Sequence, residues 1–155
     1  MIVALRALHA KAKAGSLDPT EQEDYDRARR QLMSIAFAGQ ASAYAGAPRR
    51  TTMRIALALK VEITFGDSPP QVATTVDVSH DGFSALVAFA AGTGAAARFA
   101  IRVAGIEPIA GTCRIASVIK QGALQRVSFA FETIDAAARE RLELAIFDYL
   151  LKSLP

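Results

Sequence analysis

Between residues 55 and 65 every second side chain is apolar. Ile55, Leu57, Leu59, Val61, Ile63 and Phe65 alternate with Ala56, Ala58, Lys60, Glu62 and Thr64. A period of two marks a half-buried strand. It returns in Val72, Thr74, Val76 and Val78, then in Phe83, Ala85, Val87 and Phe89. It returns again in Phe99, Ile101 and Val103, with Arg98 and Arg102 on the other face. Residues 108–119 give a fifth run whose alternation slips between Ile115 and Val118, which predicts a bulge. Val127, Phe129 and Phe131 mark a sixth. Turn chemistry separates the runs: Gly66-Asp67-Ser68-Pro69-Pro70, Ser79-His80-Asp81-Gly82, Gly92-Thr93-Gly94 and Lys120-Gln121-Gly122. Six short antiparallel strands of this kind close into a small barrel, which removes their edges.

Helical spacing flanks the strands. Ile2, Leu5, Leu8 and Ala12 recur on one stripe, and Gly15 is a natural stop. Asp18-Pro19-Thr20-Glu21 has the order of a helix start, with a capping carboxylate, proline at the first helical position and glutamate three residues after the cap. Tyr25, Leu32, Ile35 and Ala36 can share a face of this second helix. At the other end Asp135 caps a helix ending near Leu154, with Leu142, Ala145, Ile146 and Tyr149 on one stripe and Leu144, Phe147 and Leu151 on another. One stripe can cover the barrel, and the other calls for the N-terminal helices or a second copy in a homodimer. The expected organisation is mainly β with flanking α: a helical hairpin over 1–38, a turn-rich linker over 39–49, a six-stranded antiparallel barrel over 50–134 and a C-terminal helix over 135–155. The linker would let its arginines close over a ligand.

Composition narrows this picture only slightly. With 155 residues, 52% hydrophobic and 21% charged, the chain can bury a core. The net charge of +3 is mild and suits an anionic small molecule without specifying one, whereas a nucleic-acid binder would concentrate more Lys and Arg on one face. The single cysteine, Cys113, fits a reducing compartment and reads as a small buried side chain. No stretch reads as a membrane span or a signal peptide, so a cytoplasmic location is expected. His9 and His80 read as surface residues. No His, Cys and carboxylate cluster has metal spacing, no phosphate loop or catalytic triad is present, and neither an enzyme nor a cofactor is expected.

The candidate chemistry lies in two segments. Arg50 and Arg54, preceded by Arg49, place guanidinium forks just before the first strand. Such forks pair bidentately with phosphate and guanine edges and stack on flat bases. Asp77, Ser79 and Gly82 form a polar turn between two strands. A carboxylate there can accept hydrogen bonds from a guanine N–H edge.

In that order, R-x-x-x-R followed by D-x-S-x-x-G resembles the signature of the PilZ domain family. The resemblance covers about residues 48–135 and leaves both ends unaccounted for. It implies a PilZ-type barrel that binds cyclic di-GMP, a bacterial second messenger. Arg50 and Arg54 would grip phosphates and guanines, Asp77 would accept from a guanine, and Ser79 would donate its hydroxyl or shape the turn. Gly82 would supply a backbone conformation closed to other residues. A basic residue at Arg49 goes, within the family, with a stacked pair of ligand molecules. The implied role is a receptor that relays ligand level to an unidentified protein partner in motility, pili, biofilm or virulence. The alternatives are a PilZ-fold adaptor that binds protein only and, less consistent with the inward phenylalanines, a nucleic-acid-binding barrel.

Overall fold

Strand alternation decides what the barrel buries. The computed structural model describes residues 2–43, 53–88 and 92–155, which fall into two compact units, Met1–Met53 with Phe147–Pro155 and Arg54–Ile146. In the second unit the strands are β1 (Arg54–Ile55), β2 (Lys60–Thr64), β3 (Gln71–Ser79), β4 (Gly82–Val87), β5 (Ala96–Arg102), β6 (Ile109–Gln121) and β7 (Leu124–Ile134). The hydrogen-bonded order is β1-β3-β2-β5-β6-β7-β4, and β4 also pairs with β3. Strands β2 to β7 thus close an antiparallel six-stranded barrel, with β1 as a short extension along β3.

On β2, β4 and β5 the inward positions follow the period of two, whereas on β3 the expected stripe fails at its start, with Val72 63% exposed and Thr74 exposed while Thr75 is buried. Val61 and Ile63 are buried on β2 and Phe65 just after it, Ala97, Phe99 and Ile101 on β5, and Phe83, Ala85 and Val87 on β4. The phenylalanines meet one another: Phe83 stacks on Phe129 with centroids 4.9 Å apart, and Phe99 on Phe131 at 5.0 Å. The rings are spent on the core, which leaves the barrel without an aromatic platform built from them. Cys113 is fully buried on β6, where desolvation first and Glu132 second push its thiol up to about 12. The slip foreseen in the fifth run is present, between Ile115 and Ser117, with another at Thr112/Cys113. A two-residue turn joins β6 to β7, with Gly122 at its first central position and φ of 62°.

The first strand departs from expectation. Its alternation runs unbroken from Ile55 to Phe65, yet pairing stops after Ile55 and resumes at Lys60. The side chains keep their parity, with Leu57 and Leu59 half-buried, but the backbone from Ala56 to Leu59 leaves the ladder.

In the helical unit α1 spans Ile2–Ala14 and α2 Pro19–Ala43. Gly15 follows α1 at φ 67°, the left-handed residue a helix stop needs. The Asp18 carboxylate accepts from the Glu21 N–H at 2.8 Å and the Glu21 carboxylate accepts from the Asp18 N–H at 3.2 Å, a reciprocal capping box. Helix α2 runs beyond the expected boundary at 38, so residues 39–43 are helical and not linker.

A third helix, α3 (Ala136–Ser153), belongs to the barrel unit as far as Ile146 and to the helical unit from Phe147. Asp135 caps it, accepting from the Ala138 N–H at 2.7 Å. Phe147 and Leu151 are buried with Leu5 and Tyr25, flanked by Leu8, Leu17, Leu32 and Met33. The stripe that called for either the N-terminal helices or a second copy is therefore covered by the helices. Arg6 donates to the Leu151 and Leu154 carbonyls at 3.0 and 2.8 Å, satisfying acceptors that the end of α3 leaves open.

His9 corrects the sequence reading. It is 5% exposed, not a surface residue. Its Nδ1 lies 2.8 Å from the Tyr25 hydroxyl and its Nε2 3.1 Å from the Asp148 carboxylate. Burial lowers its pKa below 6.5, outweighing the pull of Asp148 in the other direction. Burial alone would raise the Asp148 carboxyl, but hydrogen bonds from Lys152, Lys13 and His9 hold it at about 2.

Candidate functional site

The turn between β3 and β4 is organised by one hydroxyl. Ser79 is buried, and its Oγ accepts from the Asp81 and Gly82 N–H groups at 3.2 Å each. The same Oγ is 3.3 Å from the Gly82 carbonyl oxygen, to which it donates. Of the two roles open to Ser79, the geometry displays turn shaping. Gly82 is required for a reason other than the one expected. Its φ is not in the left-handed region. Instead β7 passes so close that an added Cβ would collide with the Phe129 carbonyl oxygen and lie 3.2 Å from Ala130 Cα. The demand is for space, and the obstructing atoms are backbone.

Asp77 reaches the outer face of the barrel through a change of parity. Thr75 is buried, and strict alternation would bury Asp77 beside it. The pairing of β3 with β4 slips between Thr75 and Asp77, so Val78 is the next fully buried residue and Asp77 turns outward. Its carboxylate, 14% exposed, meets two guanidiniums there: Arg126 donates to Oδ2 at 3.0 Å, and Arg54 lies 3.7 Å from Oδ1. Arg54 sits opposite Ser79 on β1. The structure therefore brings together Arg54, Asp77, Ser79 and Gly82 from the two motif segments. Arg49 and Arg50 lie outside the described residues.

Three further residues were not singled out from the sequence. Arg126, on β7, is the stronger partner of Asp77; its only sequence signal is an outward position beside Val127. Arg139, on α3, donates through Nη1 to the His80 carbonyl at 2.9 Å and contacts His80 Nε2 at 2.8 Å. Glu143, one turn on, is 2.9 Å from His80 Nδ1. His80 is half exposed, as expected of a surface residue, but it is held from both ring nitrogens. The motif turn is thus fastened to the first half of α3. Among the described residues no group of three His, Cys, Asp or Glu side chains is placed to hold a metal ion, and no described helix is long and apolar enough to cross a membrane.

Chemically the site is a carboxylate beside two cationic forks on the outer face of the sheet, next to a turn organised by its own serine. It can offer an acceptor to an N–H edge and forks to phosphate. A family model described as PilZ domain matches residues 48–148. The chain belongs to the PilZ domain family. PilZ domains are receptor and adaptor modules. The chain is similar in fold to MotI/DgrA, the inhibitor of motility of Bacillus subtilis, with a TM-score of 0.62 at 16% identity over 70% of this chain and 55% of that one. It is also similar to YcgR of Escherichia coli in complex with c-di-GMP, with a TM-score of 0.60 at 18% identity over 69% and 48%. MrkH of K. pneumonia, in its c-di-GMP complex, gives 0.60 at 16% identity over 69% and 55%. The PilZ chain thus spans about half the length of these proteins. No curated protein matches it.

Proposed function

We propose that this PilZ domain is a receptor for cyclic di-GMP, the ligand named with the YcgR and MrkH structures. The observation that carries the reading is the 3.7 Å approach of Arg54 to Asp77 beside the Ser79 turn. It joins the two halves of the motif on one face. Asp77 would take a guanine N–H edge with the lone pairs that Arg126 leaves open. Arg54 would leave Asp77 for a ligand phosphate or guanine edge. The Arg54–Asp77 pair itself is loose and partly exposed, worth about 0–1 kcal/mol, whereas a hydrogen bond to a charged group contributes about 1.5–3 kcal/mol. Arg49 and Arg50 would supply the remaining forks. Ser79 and Gly82 hold the turn and need not touch the ligand.

Binding transmits no signal unless something else moves. The His80 clamp supports a route: the motif turn is bonded to Arg139, and Glu143 to His80, so a ligand that shifts the turn biases the position of α3. The output would be altered contact with a protein partner, without catalysis and in the cytoplasm where the messenger acts. Calorimetric titration tests the reading. Wild type should bind cyclic di-GMP with a Kd of about 1 μM or tighter, and Arg54→Ala should not bind measurably. Absence of binding by the wild type would leave a PilZ-fold adaptor that recognises protein alone.

A further inference from the structure

Thr75 sits two residues before Asp77, where both neighbours of β3 change register. On one side Lys60 pairs with Thr74 and Ile55 with Val78, so five residue steps of the first segment run against four of β3. The first segment carries one residue too many. On the other side Thr75 pairs with Ala85 and Asp77 with Ser84, so Val76 is the extra residue and it belongs to β3. The two offsets are opposite in sense and both fall between Thr74 and Val78.

The Thr75 side chain lies at the start of that stretch. It is 2% exposed. Its hydroxyl accepts from the Leu59 N–H at 2.8 Å and donates to the Leu57 carbonyl. Its own N–H donates to the Leu59 carbonyl at 2.8 Å. Between these anchors and β1 the chain is irregular, with the Leu57 N–H turning back to the Ile55 carbonyl at 2.9 Å. One hydroxyl therefore takes the place of ladder bonds for the segment that leads back to Arg54. Without it a part-buried donor and a part-buried acceptor lose this partner, and the segment can regain one by sliding one residue toward regular pairing. Such a slide moves Arg54 away from Ser79 and turns its side chain to the opposite face of the sheet from Asp77.

We propose that Thr75 is a positioning residue of the nucleotide site: its hydroxyl locks the register offset that sets Arg54 opposite Ser79 and on the same face as Asp77. This rests on the cyclic di-GMP reading only for its functional consequence. The lock itself is a statement about the apo protein.

The test compares Thr75→Val, which keeps the branched shape and removes the hydroxyl, with Thr75→Ser, which keeps the hydroxyl, and with Thr75→Ala. Each is checked for folding by circular dichroism and titrated with cyclic di-GMP. Thr75→Val should be folded at 25 °C and bind at least about tenfold more weakly, while Thr75→Ser stays within about threefold of wild type. Thr75→Ala takes the place of Thr75→Val where the latter does not fold. Wild-type affinity in a folded hydroxyl-free variant overturns the proposal. Unfolding of both hydroxyl-free variants, with Thr75→Ser folded, makes Thr75 a stability residue and also overturns it. If wild type itself fails to bind, the nucleotide reading falls, and the lock is decided by amide exchange. The Leu59 N–H should then exchange at least about tenfold faster in the hydroxyl-free variant than in Thr75→Ser, and equal exchange rejects the lock.

Discussion

In the helical unit a histidine, a tyrosine and an aspartate are held together in and around a small core and answer one another's hydrogen bonds. In the barrel an aspartate is turned outward by a bulge and divided between two arginines. The first arrangement is closed: His9 has a partner on each ring nitrogen, and Asp148 is held by Lys13 and Lys152 as well. In the second, Arg54 stands 3.7 Å from one Asp77 carboxylate oxygen while Arg126 holds the other at 3.0 Å. Polar groups that satisfy each other in a core specify packing. Polar groups held loosely at a surface by a stiff turn are available to a ligand. On the proposed reading the same residue types serve the fold in one unit and recognition in the other; exposure does not separate the two uses, since the Asp77 carboxylate is 14% exposed and that of Asp148 23%.

The largest effect that should separate the units is the loss of Arg54. Arg54→Ala should weaken cyclic di-GMP binding by more than about 100-fold, or about 2.7 kcal/mol, with the melting temperature close to wild type. A loss of both together would mean that the arginine serves the fold, and the contrast would fail. Next comes Gly82→Ala, which breaks the turn through packing. A methyl group driven into the β7 backbone should cost about 1–3 kcal/mol of stability by chemical denaturation, and an unchanged denaturation midpoint would show that the close approach relaxes freely.

The helical unit should lose stability as pH falls. His9 has a folded pKa below its ordinary 6.5, so the unfolded chain binds more protons than the folded one just below that value. Its contribution is complete above pH 6.5 and is lost as pH falls below it. Asp148 adds a second loss as pH falls from 3.8 toward about 2. The melting temperature should therefore drop as pH falls below 6.5, and His9→Gln should flatten that drop; an equal slope in the variant would remove His9 as its cause. The smallest effect expected on affinity is that of Arg139→Met. Cyclic di-GMP should bind within about threefold of wild type, while ligand-induced protection of α3 amides in hydrogen exchange disappears. Protection that survives would break the proposed route from the turn to the helix.

How much of this the sequence carried depends on whether a feature is local. The Ser79 turn, the Asp18 capping box and the Asp135 cap are spelled out within four residues, and all were legible. So were the inward phenylalanines, because a period of two needs only the strand itself. The break at Ala56–Leu59 was not legible, since Leu57 and Leu59 keep their alternation and the offset arises from what β3 does opposite them. Arg126 was invisible for the same reason: its importance lies in reaching across to Asp77 from a strand 49 residues away. His9 was readable in part, because it stands four residues after Leu5 on the buried stripe of α1. Its polarity concealed it, and the burial became intelligible only with Tyr25 and Asp148 in place. Gly82 was identified for its identity but with the wrong cause, since one strand cannot reveal how near another passes.

The central claim is that Arg54 and the Asp77–Gly82 turn form one nucleotide site on the outside of the barrel. Titrating cyclic di-GMP into isotopically labelled protein and following backbone amide resonances tests it most directly. The account predicts saturable shifts that are largest at Arg54 and from Asp77 to Gly82, extend to Arg126, and reach Arg139 and Glu143 with smaller amplitude. A saturating titration that leaves Arg54 and Asp77 unmoved, or places the largest shifts on other strands, would contradict it.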